Sequence, residues 1–447
     1  MTATAEVTEE GILARPYVLT TVGSWSLVFL AAFESLAVTT IMPVVTEDLN
    51  GRPLYSLAFS ATLAASVIGM VVTGTWADRR GPARPLITAI SLFGAGLAVA
   101  GLAPAMTVFV AGRFLQGLGA GGITVALYVL VAKVYPSRLH IKIFGAYASA
   151  WVLPSIVGPF VAGVVAEALS WHWVFLGVVA LLAVATVMIL PALRDRDHQS
   201  GVPGQRGRVP VAVVLAASVV ALSYCVELAQ PWSWMCAAAA LLVIGFAARR
   251  VIPPGTYRAR PGLPAAVLLC GLAGAVFFGT EVYLPLLLHD EYGLPAWLSG
   301  VTLTAAAISW ATASAIQGRL GDRLSSVAAL RTGAAVLAAG AIVELLTAWL
   351  HLHPVVAAVG WLLAGAGMGT LYPRISTLVL AYSEEGRQGF NTSAKSITDA
   401  VGGSTSLAIT GLLFHTVTRT PFVAVLVFTS VIGVTVGLLA GRAGRPT

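Results

Sequence analysis

The chain has 447 residues, of which 57% are hydrophobic and 10% are charged, and its formal net charge is +7. A soluble domain carries about 25% charged residues, so this composition excludes an ordinary soluble fold. The positive charge does not indicate a nucleic-acid partner, because the basic residues are dispersed in short loops and do not form a stripe.

Apolar stretches of roughly 20 residues, the length that a helix needs to cross a bilayer, recur along the chain. They predict an all-α polytopic membrane protein with fourteen spans. The first six predicted spans are 18–43, 55–77, 85–103, 106–132, 142–166 and 172–191. Two shorter spans, 209–229 and 232–248, follow as an inserted hairpin. The last six are 264–288, 297–317, 328–350, 354–381, 388–416 and 421–441.

These spans predict two six-helix bundles related by pseudo-symmetry, with the hairpin between them. The predicted segments are a tail (1–17), a first bundle (18–191), a linker (192–208), the hairpin (209–248), a basic connector (249–263) and a second bundle (264–441). The first fifteen residues contain three Glu and one Arg, which is not typical of a secretory signal. We therefore expect the first span to remain in the protein.

The distribution of basic residues predicts the orientation of the chain in the membrane. With a cytoplasmic N-terminus, 22 of the 26 Lys and Arg residues fall on the cytoplasmic side of the predicted spans. Arg52 and Arg419 fall outside, and Arg113 and Arg374 lie within spans. Because cytoplasmic loops carry an excess of Lys and Arg, this asymmetry places both termini in the cytoplasm and favours an even number of spans.

A charge-dense elbow appears twice in this otherwise charge-poor chain. Residues 74–84 read Gly-Thr-Trp-Ala-Asp-Arg-Arg-Gly-Pro-Ala-Arg, and residues 318–323 read Gly-Arg-Leu-Gly-Asp-Arg. The Gly and Asp of the two elbows are 244 residues apart, and Gly158 and Gly402 have the same offset. This repetition indicates a duplicated unit.

An Asp at the end of a helix that faces Arg side chains can hold two helices in one state and release them in another. We therefore predict a cytoplasmic gate at the two elbows. The alternative is a solvated loop that only orients the chain. The predicted gate residues are Gly74, Asp78, Arg79, Gly81, Arg84, Gly318, Asp322 and Arg323.

Four acidic residues inside predicted spans are candidates for carrying a proton. Glu34 and Glu281 occupy nearly equivalent positions in the first helices of the two bundles, and Asp399 and Glu344 follow in order of interest. Burial favours the protonated form of a carboxyl group, so such a group can carry a proton for which a cationic substrate competes. Alternatively, Glu34 pairs with an Arg, Glu281 lies in water near the outer mouth, and Asp399 neutralises Arg374.

The fourth span contains Arg113 and Gln116, followed by a glycine-rich segment at 117–122. An Arg inside a span costs about 3 kcal/mol on insertion scales, so it needs a polar partner. The alternative is an anchor whose side chain reaches the outer interface. The glycines match a dinucleotide-binding pattern, but they lie in a membrane span and not after a strand, so we interpret them as sites of close helix packing.

Aromatic residues near these acids are candidates for lining a substrate cavity. The alternative is the general preference of Trp and Tyr for membrane interfaces. The candidates are Tyr147, Trp151, Tyr283, Trp310, Phe277, Phe278 and Trp361.

The fifth span combines proline and glycine, which predicts a kink and a smooth face at the interface between the bundles. The alternative is a bent packing helix with no mechanistic role. The predicted hinge residues are Gly145, Pro154, Gly158, Pro159 and Gly163.

Four of these segments resemble motifs of the major facilitator superfamily, in particular its fourteen-helix drug:proton antiporters. The first elbow matches the loop motif Gly-x-Leu-x-Asp-Arg-x-Gly-Arg-Lys, with Trp76 for Leu and Pro82-Ala83 in place of the basic pair. Arg113-Phe-Leu-Gln-Gly resembles the motif whose Arg is associated with proton coupling. The fifth span resembles the antiporter motif, and Glu34 replaces the usual Asp of an acidic first-helix motif.

The resemblance implies a proton-driven exporter of lipophilic or cationic small molecules in the plasma membrane. Its expected partners are a small-molecule substrate, protons and the bilayer, with no nucleic acid, no cofactor besides the proton gradient, and a monomeric state. The sequence contains no phosphate-binding loop with Lys and no metal-ligand cluster, which argues against an enzyme. The alternatives are a carrier of a metabolite or lipid by symport or uniport, and a non-transporting receptor or scaffold.

Overall fold

The structure is a computed structural model of the chain and describes residues 11–15, 17–51, 54–193, 207–225, 228, 230–294, 296–417 and 419–445. Over these residues the fold is helical and contains no strand. The first six helices are Val18–Asp48 (α1), Tyr55–Arg80 (α2), Ala83–Gly101 (α3), Met106–Val134 (α4), Ser137–Ala168 (α5) and His172–Leu193 (α6).

Two 17-residue helices follow, Arg208–Tyr224 (α7) and Trp232–Ala248 (α8). The remaining helices are Leu263–Glu281 (α9), Tyr283–Asp290 (α10), Ala296–Leu320 (α11), Ser326–Leu350 (α12), Pro354–Ala381 (α13), Gln388–Thr416 (α14) and Pro421–Ala443 (α15). The predicted ninth span corresponds to α9 and α10 together, because the helix breaks at Val282.

The same five helix pairings occur in both halves of the chain. In the first half α4 packs against α2 and α3, α1 packs against α5 and α6, and α3 packs against α6. In the second half α13 packs against α11 and α12, α9 packs against α14 and α15, and α12 packs against α15. Each of these pairings in the first half thus has a counterpart in the second, so the duplication seen in the sequence is repeated in the helix packing.

The halves meet through α5 with α11 and α13, and through α14 with α2 and α4. The hairpin α7–α8 packs against α2 and α14, one helix from each half. We call the end of the molecule at which α2 ends and α14 begins the basic end, because its loops carry most of the Lys and Arg residues.

Ten helices of the described chain, counting α9 and α10 as one, are long and apolar enough to cross a membrane. The bent helix α5 raises this number to eleven, and α7 and α8 are shorter apolar helices. A helix lies over each of the predicted spans, but a total of fourteen membrane crossings stays a prediction. The segment bounds also stay predictions, and residues 194–206 of the linker lie outside the described chain.

Close contacts between helices depend on glycine in α4. A Cβ atom at Gly117 would lie 2.2 Å from the carbonyl oxygen of Thr62 in α2, and one at Gly121 would lie 2.1 Å from that of Ser66. No larger side chain fits at these distances, so glycine sets the spacing between α2 and α4.

The second half repeats this contact between α11 and α13. A Cβ atom at Gly365 would lie 2.3 Å from the carbonyl oxygen of Ala306, and one at Gly369 would lie 2.2 Å from that of Trp310. Both bundles therefore set the spacing of one helix pair by the same backbone-to-backbone packing.

Candidate functional site

A buried acid–base cluster lies in the first half between α1 and α4. The side chains of Glu34 and Arg113 form an ion pair, and only 6% and 4% of the respective residues are exposed. Arg113 also donates to Oε1 of Gln116 at 2.8 Å. The polar partner that an Arg inside a span requires is therefore a carboxylate from another helix.

This cluster keeps unused hydrogen-bonding capacity. Within the described chain, Nε of Arg113 and Nε2 of Gln116 are buried and have no hydrogen-bond partner. Thr62 of α2 donates to the carbonyl oxygen of Arg113 at 3.2 Å, which fixes the backbone beneath the guanidinium group. The N–H groups at Nε of Arg113 and Nε2 of Gln116 can therefore donate to an entering polar group.

Asp78, at the last turn of α2, joins the two halves at the basic end. Its Oδ1 accepts from the backbone N–H of Gly389 at 2.6 Å, and its Oδ2 accepts from that of Phe390 at 2.8 Å. These donors belong to the first turn of α14, where N–H groups lack intrahelical partners and the helix dipole favours negative charge. We call this contact the latch.

The structure corrects the expected partners of Asp78. The elbow motif suggested Arg side chains, whereas backbone N–H groups of the other half hold the carboxylate. Arg79 and Arg84 are exposed, and Gly81, which ends α2, has a φ of 82°. Gly74 permits the approach of α14, since a Cβ atom there would lie 2.6 Å from the carbonyl oxygen of Gly389.

Arg208, the first residue of α7, also reaches the latch. Its guanidinium carbon lies 3.9 Å from the centroid of the Phe390 ring. The elbow itself has Pro82 and Ala83 where the family motif has basic residues. The inserted hairpin thus brings a cation to the latch from a distant part of the sequence.

The second elbow is held differently. Arg374 is buried in α13 and donates through Nη2 to the carbonyl oxygens of Gly321 and Leu324, at 3.0 and 3.1 Å. Arg323 is exposed, and the side chain of Asp322 lies outside the described residues. Arg374 therefore fixes the elbow backbone, while Asp399 binds a different partner.

The second half contains a polar cluster around Lys395 of α14. Nζ of Lys395 donates to the hydroxyl of Tyr128 in α4 at 3.3 Å and lies 4.1 Å from the ring centroid of Tyr372 in α13. The Tyr372 hydroxyl donates to Oδ2 of Asp399, one helical turn from Lys395. We call Lys395, Tyr128, Tyr372 and Asp399 the lysine cluster.

Lys395 was missed at the level of the sequence, where it was counted among the cytoplasmic basic residues. Only 2% of it is exposed, and it lies seven residues into α14, about 10 Å along the helix axis. Its position inside the predicted span 388–416 was the signal that could have revealed it.

Aromatic rings extend from the lysine cluster into both halves. In the second half, Trp310 lies 5.5 Å from Tyr372 and 5.1 Å from Phe277, measured between ring centroids. In the first half, Tyr128 stacks on Phe144 at 4.7 Å. We call this series the aromatic row.

Three more of the predicted aromatic residues, Trp361, Phe278 and Tyr147, contact members of the aromatic row. Phe277 stacks on the buried Trp361 at 4.5 Å and contacts Phe278. Tyr147, also buried, packs edge-on against Phe144 at 6.1 Å. The row is therefore continuous with the packed interior of both halves.

Other predicted site residues do not join either cluster. Glu344 is fully buried between α12 and α13, and neither of its carboxyl oxygens has a partner within the described chain. Glu281 is partly exposed at the end of α9, and Tyr283 packs against Phe414 at 5.2 Å. Trp151 is an exposed residue of α5.

The predicted hinge lies in a bent helix. α5 bends by 47° between Ser155 and Phe160, the interval that contains Gly158 and Pro159, although the Pro159 side chain is not among those described. Pro154, just before the bend, is buried.

The glycines of this helix differ in their surroundings. A Cβ atom at Gly145 would lie 3.1 Å from the carbonyl oxygen of Ser314 in the other half, and one at Gly158 would lie 3.6 Å from Phe33. No described atom lies within 4 Å of a Cβ at Gly163. Close contact between the halves through α5 is thus found at Gly145, toward the basic end.

A family model described as Major Facilitator Superfamily matches residues 24–406, most of the chain. The chain belongs to the Major Facilitator Superfamily. This family consists of membrane transporters and not of enzymes. The apolar helices agree with a multi-pass transporter of this family.

Relatives in this superfamily include efflux proteins. The multidrug efflux pump SdrM of Staphylococcus aureus (strain N315) is 23% identical over 404 residues, which cover 89% of this chain and 90% of SdrM. The Acurin A biosynthesis cluster MFS-type transporter of Aspergillus aculeatus is 27% identical over 286 residues, which cover 61% of this chain. The chain spans only 50% of the length of that fungal transporter.

The solved structure of the human organic anion transporter MFSD10 (TETRAN) superimposes with a TM-score of 0.70 at 16% identity. The superposition covers 95% of this chain and 98% of the human chain. At this identity the likeness establishes the fold alone.

Proposed function

We propose that the protein is a proton-coupled exporter of lipophilic or cationic small molecules that works by alternating access. The buried pair of Glu34 and Arg113 carries this proposal. A buried ion pair is stable only while both partners are charged and close together, since removal of one partner leaves the other uncompensated at a cost of roughly 3–5 kcal/mol. A proton or a cationic cargo at Glu34 replaces Arg113, and the two therefore compete.

Competition for one carboxylate produces antiport. The proton reaches Glu34 from the outer water and leaves it to the cytoplasmic water, and the cargo binds only after the proton has left. The membrane potential contributes about 2.3 kcal/mol per charge for each 100 mV, enough to drive accumulation against a gradient. No cofactor enters this cycle.

The latch is the element that alternates in this proposal. Asp78 closes the cytoplasmic side by capping α14 of the other half, and the bend in α5 absorbs the change in the angle between the halves. The basic end is cytoplasmic in this scheme, both termini lie in the cytoplasm, the membrane is the plasma membrane, and a monomer suffices.

Flux through reconstituted protein tests the proposal. In proteoliposomes, an imposed pH gradient should drive accumulation of the cationic dye ethidium, and reversal of the gradient should reverse the flux. Glu34→Gln should abolish the dependence on the gradient. Asp290→Asn, a matched change of an exposed acid at the far end of α10, should behave as the wild type.

The result also separates antiport from the alternative of a metabolite or lipid carrier. A uniporter equilibrates the dye whichever way the gradient points, and a symporter moves it in the direction of the proton. Gradient-driven exchange that survives in Glu34→Gln would remove Glu34 from the mechanism.

A further inference from the structure

We propose that the lysine cluster is a subsite for the anionic group of an aromatic cargo, so that the transporter handles aromatic acids in addition to cations. The proposal rests on the transport function proposed above and adds a substrate class to it. Four observations support it. Lys395 is buried, and its ammonium group has no carboxylate partner among the described residues. Tyr372 donates a hydrogen bond to Asp399, and the lysine cluster lies at the junction of the two halves.

Lys395 is a buried cation without a paired carboxylate. Only 2% of the residue is exposed, and within the described chain no carboxylate oxygen lies within 4.0 Å of its Nζ. An ammonium group has three donors, and the Tyr128 hydroxyl is the acceptor that the described residues give it. Ionisable residues inside spans face partners, cavities or substrates, so a buried lysine with no carboxylate in ion-pair contact indicates a ligand of opposite charge.

Asp399 is hydrogen-bonded to Tyr372 and not to Lys395. The Tyr372 hydroxyl donates to Oδ2 of Asp399, while the Tyr372 ring face lies 4.1 Å from Nζ of Lys395. Oδ1 of Asp399 is buried without a hydrogen-bond partner in the described chain and lies next to Gly274 of α9. The carboxylate is thus directed toward α9 and α13, and the ammonium group remains available for another anion.

The lysine cluster lies where the halves separate. Tyr128 belongs to α4 of the first half, whereas Lys395 and Tyr372 belong to α14 and α13 of the second. In the present state the contact between Tyr128 and Lys395 closes the site. When the halves move apart, the Tyr128 hydroxyl moves away from Lys395, and the ammonium group is exposed to an entering cargo.

The aromatic row supplies the surface for the apolar part of such a cargo. Trp310 continues the row beyond Tyr372, and Phe144 continues it beyond Tyr128. Aromatic rings pack favourably against such side chains, and a charged group at one end fixes the orientation. Within the lysine cluster, Lys395 is the group that can attract an anion, since Asp399 already accepts from Tyr372.

Two dyes with the same fused-ring scaffold and opposite charge test the proposal. Fluorescein is an anion and rhodamine 123 is a cation, and the binding of each to the purified full chain in nanodiscs is measured by fluorescence polarisation at one pH without a gradient. Lys395→Met should weaken fluorescein binding by about 30-fold or more, because a buried charge contact is lost. Lys395→Met should bind rhodamine 123 as tightly as the wild type or more tightly. Lys395→Arg should bind fluorescein as the wild type does.

Two further variants make the test specific. Lys133→Met, the same change at the end of α4, should leave both affinities unchanged. Asp399→Asn, which removes a negative charge one turn from the ammonium group, should tighten fluorescein binding.

Three results would overturn the proposal: a wild type that does not bind fluorescein, a Lys395→Met protein that binds it as well as the wild type, or an equal loss of both dyes. The last result would show that Lys395 only holds the halves together. Because binding is measured without a gradient, it does not depend on Glu34 coupling. Failure of proton-driven flux would therefore leave this result intact, and the reverse also holds.

Discussion

Loss of the charge on Asp78 should open the basic end of the transporter. The carboxylate accepts two short hydrogen bonds from α14, and each such charge-assisted bond contributes about 1.5–3 kcal/mol. In Asp78→Asn one acceptor oxygen remains and the charge is lost. We expect the closed state to lose about 2–4 kcal/mol, equivalent to a shift of roughly 30- to 700-fold in the equilibrium between the closed and open states.

The shift can be measured as a distance between the halves. Nitroxide labels at Arg138→Cys and Glu385→Cys, both exposed at the basic end, report the separation by pulsed electron resonance after the three native cysteines are replaced. The protein with Asp78 intact should give one short distance, and Asp78→Asn should add a longer population. Asp290→Asn, an exposed acid at the opposite end, should leave the distribution unchanged. An identical distribution for Asp78→Asn would refute the role of the latch.

Three further outcomes follow from the structure. Arg208→Ala should lengthen the same labelled distance in a smaller fraction of molecules, because its contact with the Phe390 ring contributes only about 0.5–2 kcal/mol. Gly121→Val should lower the melting temperature of the purified protein sharply, whereas Gly177→Ala, where no described atom lies within 4 Å of the new Cβ, should change it little. Arg374→Met should speed trypsin cleavage at the second elbow, since two backbone carbonyls lose their donor; an unchanged cleavage rate would contradict that role.

Much of the helix pattern could be predicted from the sequence, because the length of an apolar run and the chemistry at its ends determine a membrane helix. The start and end of α13 coincide with the predicted span 354–381, where proline begins the helix. The break at Val282 was not predicted, although Pro285 is a signal for it: this proline has no N–H to bond the carbonyl oxygen of Glu281, and its ring clashes with that carbonyl. Local sequence does not record how α10 packs against α11 and α15.

The partners of the site residues were harder to predict, because they lie far apart along the chain. The sequence suggested an Arg partner for Glu34 as one alternative, and the structure identifies it as Arg113, 79 residues away. Asp78 binds N–H groups 311 and 312 residues away, and a backbone donor leaves no side-chain signature. Helix ends can be located in a sequence, but the contacts between them depend on tertiary packing.

The lysine cluster shows a different limit of sequence reasoning. The positive-inside rule assigned Lys395 to the cytoplasmic side together with the other basic residues, although it lies in a span. Its importance follows from Tyr128 and Tyr372, which come from two other helices. Their meeting point could not be read from any one segment.

The competition between a proton and a cationic cargo at Glu34 is tested most directly by proton release. Ethidium is added to the purified protein in weakly buffered detergent solution that has been acidified until a proton replaces Arg113 at Glu34, and the pH change is followed with a soluble indicator. We expect protons to be released in proportion to the bound dye, no release from Glu34→Gln, and normal release from Asp290→Asn. Binding of ethidium by the wild type without proton release, or equal release from Glu34→Gln, would contradict the proposed exchange at Glu34.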